Sequence, residues 1–162
     1  MVTHAVSTYD WLLFAHITGA FLLTGGVVVA GTLNLAAQTR ERPSEVALLY
    51  KLTGIAVIPI VLGALITLVF GLWLVSESPW GYHYSQGWVI AAIVLWVIGM
   101  ATGETGGKRD RKTGEFAARL AAEGDQPSAE LKARMRDPLS LTLSYGSGLV
   151  ILTMLAIMVW KP

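Results

Sequence analysis

Four long stretches of the chain carry no charged side chain: Trp11–Thr39, Leu52–Ser76, Ser78–Gly103 and Pro138–Trp160. Each exceeds the roughly 20 residues that an α-helix, rising about 1.5 Å per residue, needs to cross about 30 Å of hydrocarbon. Apolar residues run continuously through them instead of alternating with polar ones, which excludes the strands of a transmembrane barrel. The pattern predicts an all-α fold, an integral membrane four-helix bundle with helices at about 11–37, 48–75, 86–105 and 139–160 in a single transmembrane domain, 1–162. The leader before Trp11 has no basic n-region, and the first apolar stretch is too long for a signal-peptide core, so it is expected to stay as an anchor.

The connection at about 108–137 reads as helical too. Phe116, Ala117, Leu120 and Ala121 recur at helical spacing, Gly124-Asp125 interrupts them, and the pattern resumes at Pro127-Ser128-Ala129-Glu130-Leu131 before Asp137-Pro138 opens the last span. Two short amphipathic helices are expected here, lying as a lid along the lipid headgroups beside the basic cluster Lys108–Lys112. Pro43-Ser44-Glu45 before the second helix loosely echoes Pro127-Ser128-Ala129-Glu130 before the fourth, as duplicated helix pairs would.

Charge placement gives the orientation. Of 23 charged residues, 15 fall between Glu104 and Asp137. Of 12 basic residues, 11 lie in the first and third connections and their flanks, and the other is Lys161. Lys and Arg near helix ends are retained in the cytoplasm, so both termini are expected outside, an N-out/C-out topology. Tyr9, Trp11, Trp73, Trp80, Tyr82, Tyr84, Trp88 and Trp160 then form an aromatic belt at the outer interface. The lipid bilayer is the expected partner. The long connection mixes eight basic with six acidic residues, a balance that argues against nucleic-acid binding. The chain has no cysteine, which removes disulfides, thiolate metal sites and thiol nucleophiles.

Helices in lipid approach closely where small residues let backbones touch. Gly63, Thr67 and Gly71 form such a stripe on the second helix, Gly99 and Gly103 on the third, Ser140, Ser144 and Gly148 on the fourth. They are read as packing within the bundle, with a homo-oligomer or larger membrane complex as the alternative use. Pro59 removes one backbone donor from the second helix, so a kink is expected near Ile55–Pro59.

Polar groups inside a span are costly and are site candidates by default. His16 is the first, on a stripe with Gly19, Ala20, Leu23 and Gly26 that leaves room for a neighbouring helix or a flat ligand. A neutral imidazole can ligate haem iron or copper, and His83 in the aromatic loop Trp80–Tyr84 lies on the same side as a candidate second ligand. His4 in the leader is a weaker partner. At the inner ends of three helices, Asn34, Lys51 and Glu104 form a candidate polar cluster, either a Lys51–Glu104 ion pair or an entry site for protons or ions. No Walker loop, dinucleotide fingerprint, His-Glu-x-x-His or serine elbow occurs.

The opening Tyr9–Gly26, with Arg42-Pro-Ser-Glu45, Phe70-Gly-Leu-Trp73, Gly87-Trp-Val-Ile90, Asp137-Pro-Leu-Ser140 and Met158-Val-Trp-Lys161, resembles a bacterial integral membrane family, domain of unknown function 2269, over essentially the whole chain. That resemblance implies four helices in a bacterial cytoplasmic (inner) membrane and no established activity. More distantly, the first helix resembles those of four-helix protoporphyrinogen oxidases and copper-resistance membrane proteins. The oxidases imply a haem-linked histidine, at His16 here. Their third-helix lysine has no counterpart, since Gln86–Gly103 contains none, so the resemblance implies cofactor binding (haem b or copper) and not the oxidase reaction. Three functions stay open: a non-enzymatic scaffold or accessory subunit with a structural His16, a haem- or copper-binding redox protein using His16, and a small transporter or proton pathway.

Overall fold

Ser7 opens the first helix of the computed structural model, which describes residues 7–161. Its hydroxyl caps the Asp10 amide while the Asp10 carboxylate accepts from the Ser7 amide at 2.8 Å, a reciprocal arrangement that satisfies donors a helix start leaves orphaned. Helix α1 runs Thr8–Gln38 and α2 runs Pro43–Ser76, begun by a proline whose missing amide costs nothing at the first helical position. Helix α3 runs Gly87–Ala122, α4 Ala129–Met135 and α5 Pro138–Trp160. Four candidate membrane spans result: α1, α2, α3 and the stretch Ala129–Trp160 that ends in α5.

Two boundaries differ from the sequence reading. The third helix does not stop near Thr105. It continues unbroken to Ala122, 36 residues in all, or about 54 Å at helical rise, so its last turns stand beyond the hydrocarbon. The Gly106-Gly107 pair therefore lies within a helix, and only α4 is a separate amphipathic piece. The second helix starts at Pro43, a turn and more before Leu48, and passes through Pro59 without a break in its helical assignment.

Helix α1 packs antiparallel on α2, α2 on α3, and α3 on α5, while α1 and α5 touch sparingly. The α1–α2 seam is the tightest. A methyl group added at Gly63 would stand 2.6 Å from the Gly19 carbonyl oxygen, and one at Gly19 2.7 Å from the Thr67 amide, so backbones meet there. The stripes on the other helices are looser: a carbon at Gly99 would make ordinary contact with Val150 at 3.4 Å, and Gly103 and Gly148 have open space. Val28, Leu149 and Leu152 point away from the bundle, 62%, 66% and 64% exposed, as lipid-facing side chains must.

The best-buried apolar cluster lies at the basic end: Ala37, Val46, Ala117, Leu131 and Met135. Outside the bilayer, burial from water again drives side chains together. The apolar stripe of Ala117 and the face of α4 are spent on this cap instead of on a headgroup lid. Phe116 at its edge is covered by the Arg134 guanidinium, 4.2 Å from the ring centroid. Asp125, in a left-handed turn (φ 56°), accepts from the Ser44 amide and hydroxyl, both at 2.7 Å, and so caps the start of α2. Those two hydrogen bonds hold its carboxyl below the ordinary carboxylate range. Arg109 reaches Asp137, the cap of α5, at 2.7 Å. The Pro-Ser echo has no structural counterpart: Ser44 binds a distant carboxylate from inside α2, whereas Ser128 is the cap of α4.

Candidate functional site

The sparse meeting of α1 and α5 leaves a cavity of about 460 Å³ at the end of the bundle where α1 begins and α5 ends, walled by α1, α2, α3 and α5. Its lining is mostly apolar, with His16, Thr24 and Thr67 as polar side chains on α1 and α2 and Tyr82 and Lys161 beyond them. His16 stands eight residues into α1, about 12 Å along the axis.

The imidazole is held in one orientation. Its Nδ1 lies 2.9 Å from the Thr67 carbonyl oxygen, which can only accept, so Nδ1 carries the proton. Gly71 makes this contact possible: a carbon there would stand 2.9 Å from both Cε1 and Nδ1, where the ring now lies. Thr67 and Gly71 are one turn apart on α2, and together they form the seat. With Nδ1 protonated, Nε2 bears the lone pair. It has no hydrogen-bond partner among the described residues, and His16 lines the cavity. A pinned Nδ1–H and a free Nε2 are the arrangement of a ligating histidine.

From α5, Met154 and Met158, one turn apart, also line the cavity. The Trp96 indole donates to the Ala64 carbonyl at 3.1 Å and serves as wall. At the mouth the loop between α2 and α3 folds inward: Trp80 packs edge-on against Tyr9 at 5.5 Å, and Tyr82 edge-on against Trp88 at 5.2 Å. Lys161 donates to the Tyr82 hydroxyl at 2.9 Å and stands 4.4 Å from the centre of that ring.

His83 does not join His16. It is exposed on the outer side of the loop, its carbonyl accepting from the Gln86 amide, and its neighbour Tyr82 turns to the cavity instead. His4 lies outside the described residues. Among the described residues no three His, Cys, Asp or Glu side chains converge, so a copper ion at His16 would have to draw its other ligands from the methionines.

The inner polar residues also pair differently from expectation. Lys51 is exposed, and Glu104 is bonded to Lys108 at 2.6 Å on the open face of α3, so the two form no ion pair. Asn34 donates instead to Asp110 at 2.9 Å, bridging α1 and α3. Asp110 was hidden from the sequence reading inside a run of charges, and the long extension of α3 is what brings it level with Asn34. Gly71, Thr67, Tyr82, Lys161 and the methionine pair likewise gave no chemical signal beyond packing or interfacial types, except that Met154 and Met158 are four apart.

A sequence model of a family described as predicted integral membrane protein (DUF2269) matches residues 10–162. The chain belongs to that family. It is a multi-pass membrane protein with four apolar helices, and the family description assigns no activity. Comparisons with curated proteins and with solved structures gave no match.

Proposed function

We propose that this DUF2269 protein is a cofactor-binding protein of a bacterial cytoplasmic membrane, oriented with both ends outside, and that its intramembrane cavity takes haem at His16. The observation that carries the reading is an imidazole that lines a largely apolar cavity with Nδ1 tied to Thr67 and Nε2 without a hydrogen-bond partner among the described residues. The residues fit the group. A volume of about 460 Å³ lies within the range of small-molecule sites, the walls suit a porphyrin's apolar faces, and Met154 and Met158 line the same cavity as the imidazole. His16, with Met154 or Met158, would hold the iron; bound there, haem would supply one-electron transfer. The seat of Thr67 and Gly71 fixes the tautomer and ring direction, and the apolar wall keeps water from the site.

The visible spectrum of protein purified in mild detergent after growth with haem and copper available tests this. A Soret band is expected. Metal by elemental analysis without that band would instead indicate copper, and neither would leave the cavity without this cofactor role.

A second reading, a scaffold or accessory subunit, draws on the same hydrogen bond, because His16 to Thr67 joins α1 to α2 whatever Nε2 does. It predicts that loss of His16 lowers bundle stability and changes no spectrum.

A further inference from the structure

We infer that the aromatic-held lysine at the cavity mouth is a carboxylate clamp, so that the cavity's ligand is an amphiphile with an apolar body and an anionic oxygen head. This rests on the cavity being a ligand site, and not on haem being its occupant. Lys161 follows the last residue of α5 in a left-handed conformation (φ 42°), and its side chain reaches Tyr82 of the loop between α2 and α3. Its ammonium donates to the Tyr82 hydroxyl and lies 4.4 Å and 5.6 Å from the ring centres of Tyr82 and Trp88. All three residues line the cavity. No carboxylate pairs with Lys161 among the described residues, whereas at the opposite end Arg40, Lys108, Arg109, Arg111 and Arg134 each pair with an acid.

A cation at an interface that merely reaches for water needs no such holding. Here two aromatic faces and a hydroxyl fix the ammonium beside an opening whose interior is apolar. The Tyr82 hydroxyl accepts from Lys161 and so keeps its own proton for a second bond to the same anion. An apolar tail or ring enters between the helices while its carboxylate meets Lys161 and Tyr82, each part of the ligand matched by the part of the site it reaches. The carboxylate can come from a fatty acid or from the propionates of a porphyrin; both present the same head on an apolar body.

Dansyl-undecanoic acid and its methyl ester, titrated into the full-length protein in neutral detergent, test the clamp. The acid is expected to bind at least about tenfold more tightly than the ester, the usual worth of a charge-assisted hydrogen bond. Lys161→Gln should bring the acid down to the ester, Lys161→Arg should keep the preference, and Ala20→Phe, which fills the cavity, should remove binding of both. Equal binding of acid and ester, or an acid preference unchanged by Lys161→Gln, overturns the proposal. So does saturable binding that survives Ala20→Phe, which would place the probe on the detergent surface. A parallel titration of haem against haem dimethyl ester identifies the porphyrin as source if the same preference appears. An acid preference in a protein without a Soret band leaves the clamp standing and removes haem alone; a Soret band without acid preference does the reverse.

Discussion

At position 71 a hydrogen atom stands where any other residue would place a carbon, and the His16 ring uses that space. Gly71→Ala is therefore expected to push the imidazole off the Thr67 carbonyl. The loss should be about 1 kcal/mol, one hydrogen bond, together with a shifted or weakened haem band; thermal unfolding followed at the Soret wavelength and by circular dichroism reads both. A second residue-scale consequence concerns Asp125. Because Ser44 donates twice to it, its folded-state carboxyl titrates below the unfolded value of about 3.9. Its contribution is therefore complete above that value and is lost as pH falls through the lower folded one. Melting temperature of the wild type should fall more steeply below about pH 4 than that of Asp125→Asn, whose amide lacks the charge. Identical acid limbs would show that the Asp125 cap of α2 carries no linkage.

Among the elements, the α1–α2 pair is the most closely packed, made so by Gly19, Gly26 and Gly63 facing the opposite backbone or side chains at contact distance. Gly63→Leu should destabilise the bundle by about 1–3 kcal/mol or more, the cost of forcing side-chain volume into a filled seam, while Gly148→Leu, with open space beside it, should be near neutral. Denaturation in mixed micelles compares them directly. The sequence stripes showed which helix faces carry small residues but not which of them meet a partner, because helical spacing names a face and says nothing of what stands opposite. Helix number, type and approximate spans were legible, since hydrocarbon demands long uncharged runs with internally satisfied backbones. The end of α3 was not: Gly106-Gly107 reads as a break, yet the Asn34–Asp110 bond, the Arg109–Asp137 pair and burial of Ala117 hold the helix through it. His16 was legible as a costly intramembrane group. Its seat was not, because a backbone carbonyl and a missing Cβ leave no mark in side-chain chemistry, and His83 was misplaced because a loop's direction depends on contacts such as Tyr82 with Trp88.

For the whole molecule, the basic end is closed by a water-excluding cap and the opposite end opens into a cavity, so the two ends differ in kind. With the cavity end outside, Ser85→Cys in the loop should react with an impermeant maleimide on intact cells and Gln126→Cys should not; the cysteine-free background makes the labelling unambiguous. The reverse labelling would turn the protein over and place the cavity on the cytoplasmic side. The most direct test of the central claim, that the free Nε2 of His16 is a ligand within the cavity, is the visible spectrum of wild type and His16→Ala purified side by side from haem-replete cells. The account predicts a Soret band in the wild type that is lost or shifted in His16→Ala, alongside a stability loss of about 1–2 kcal/mol from the missing interhelical bond. A wild type without the band, or a band identical in the two proteins, would contradict it.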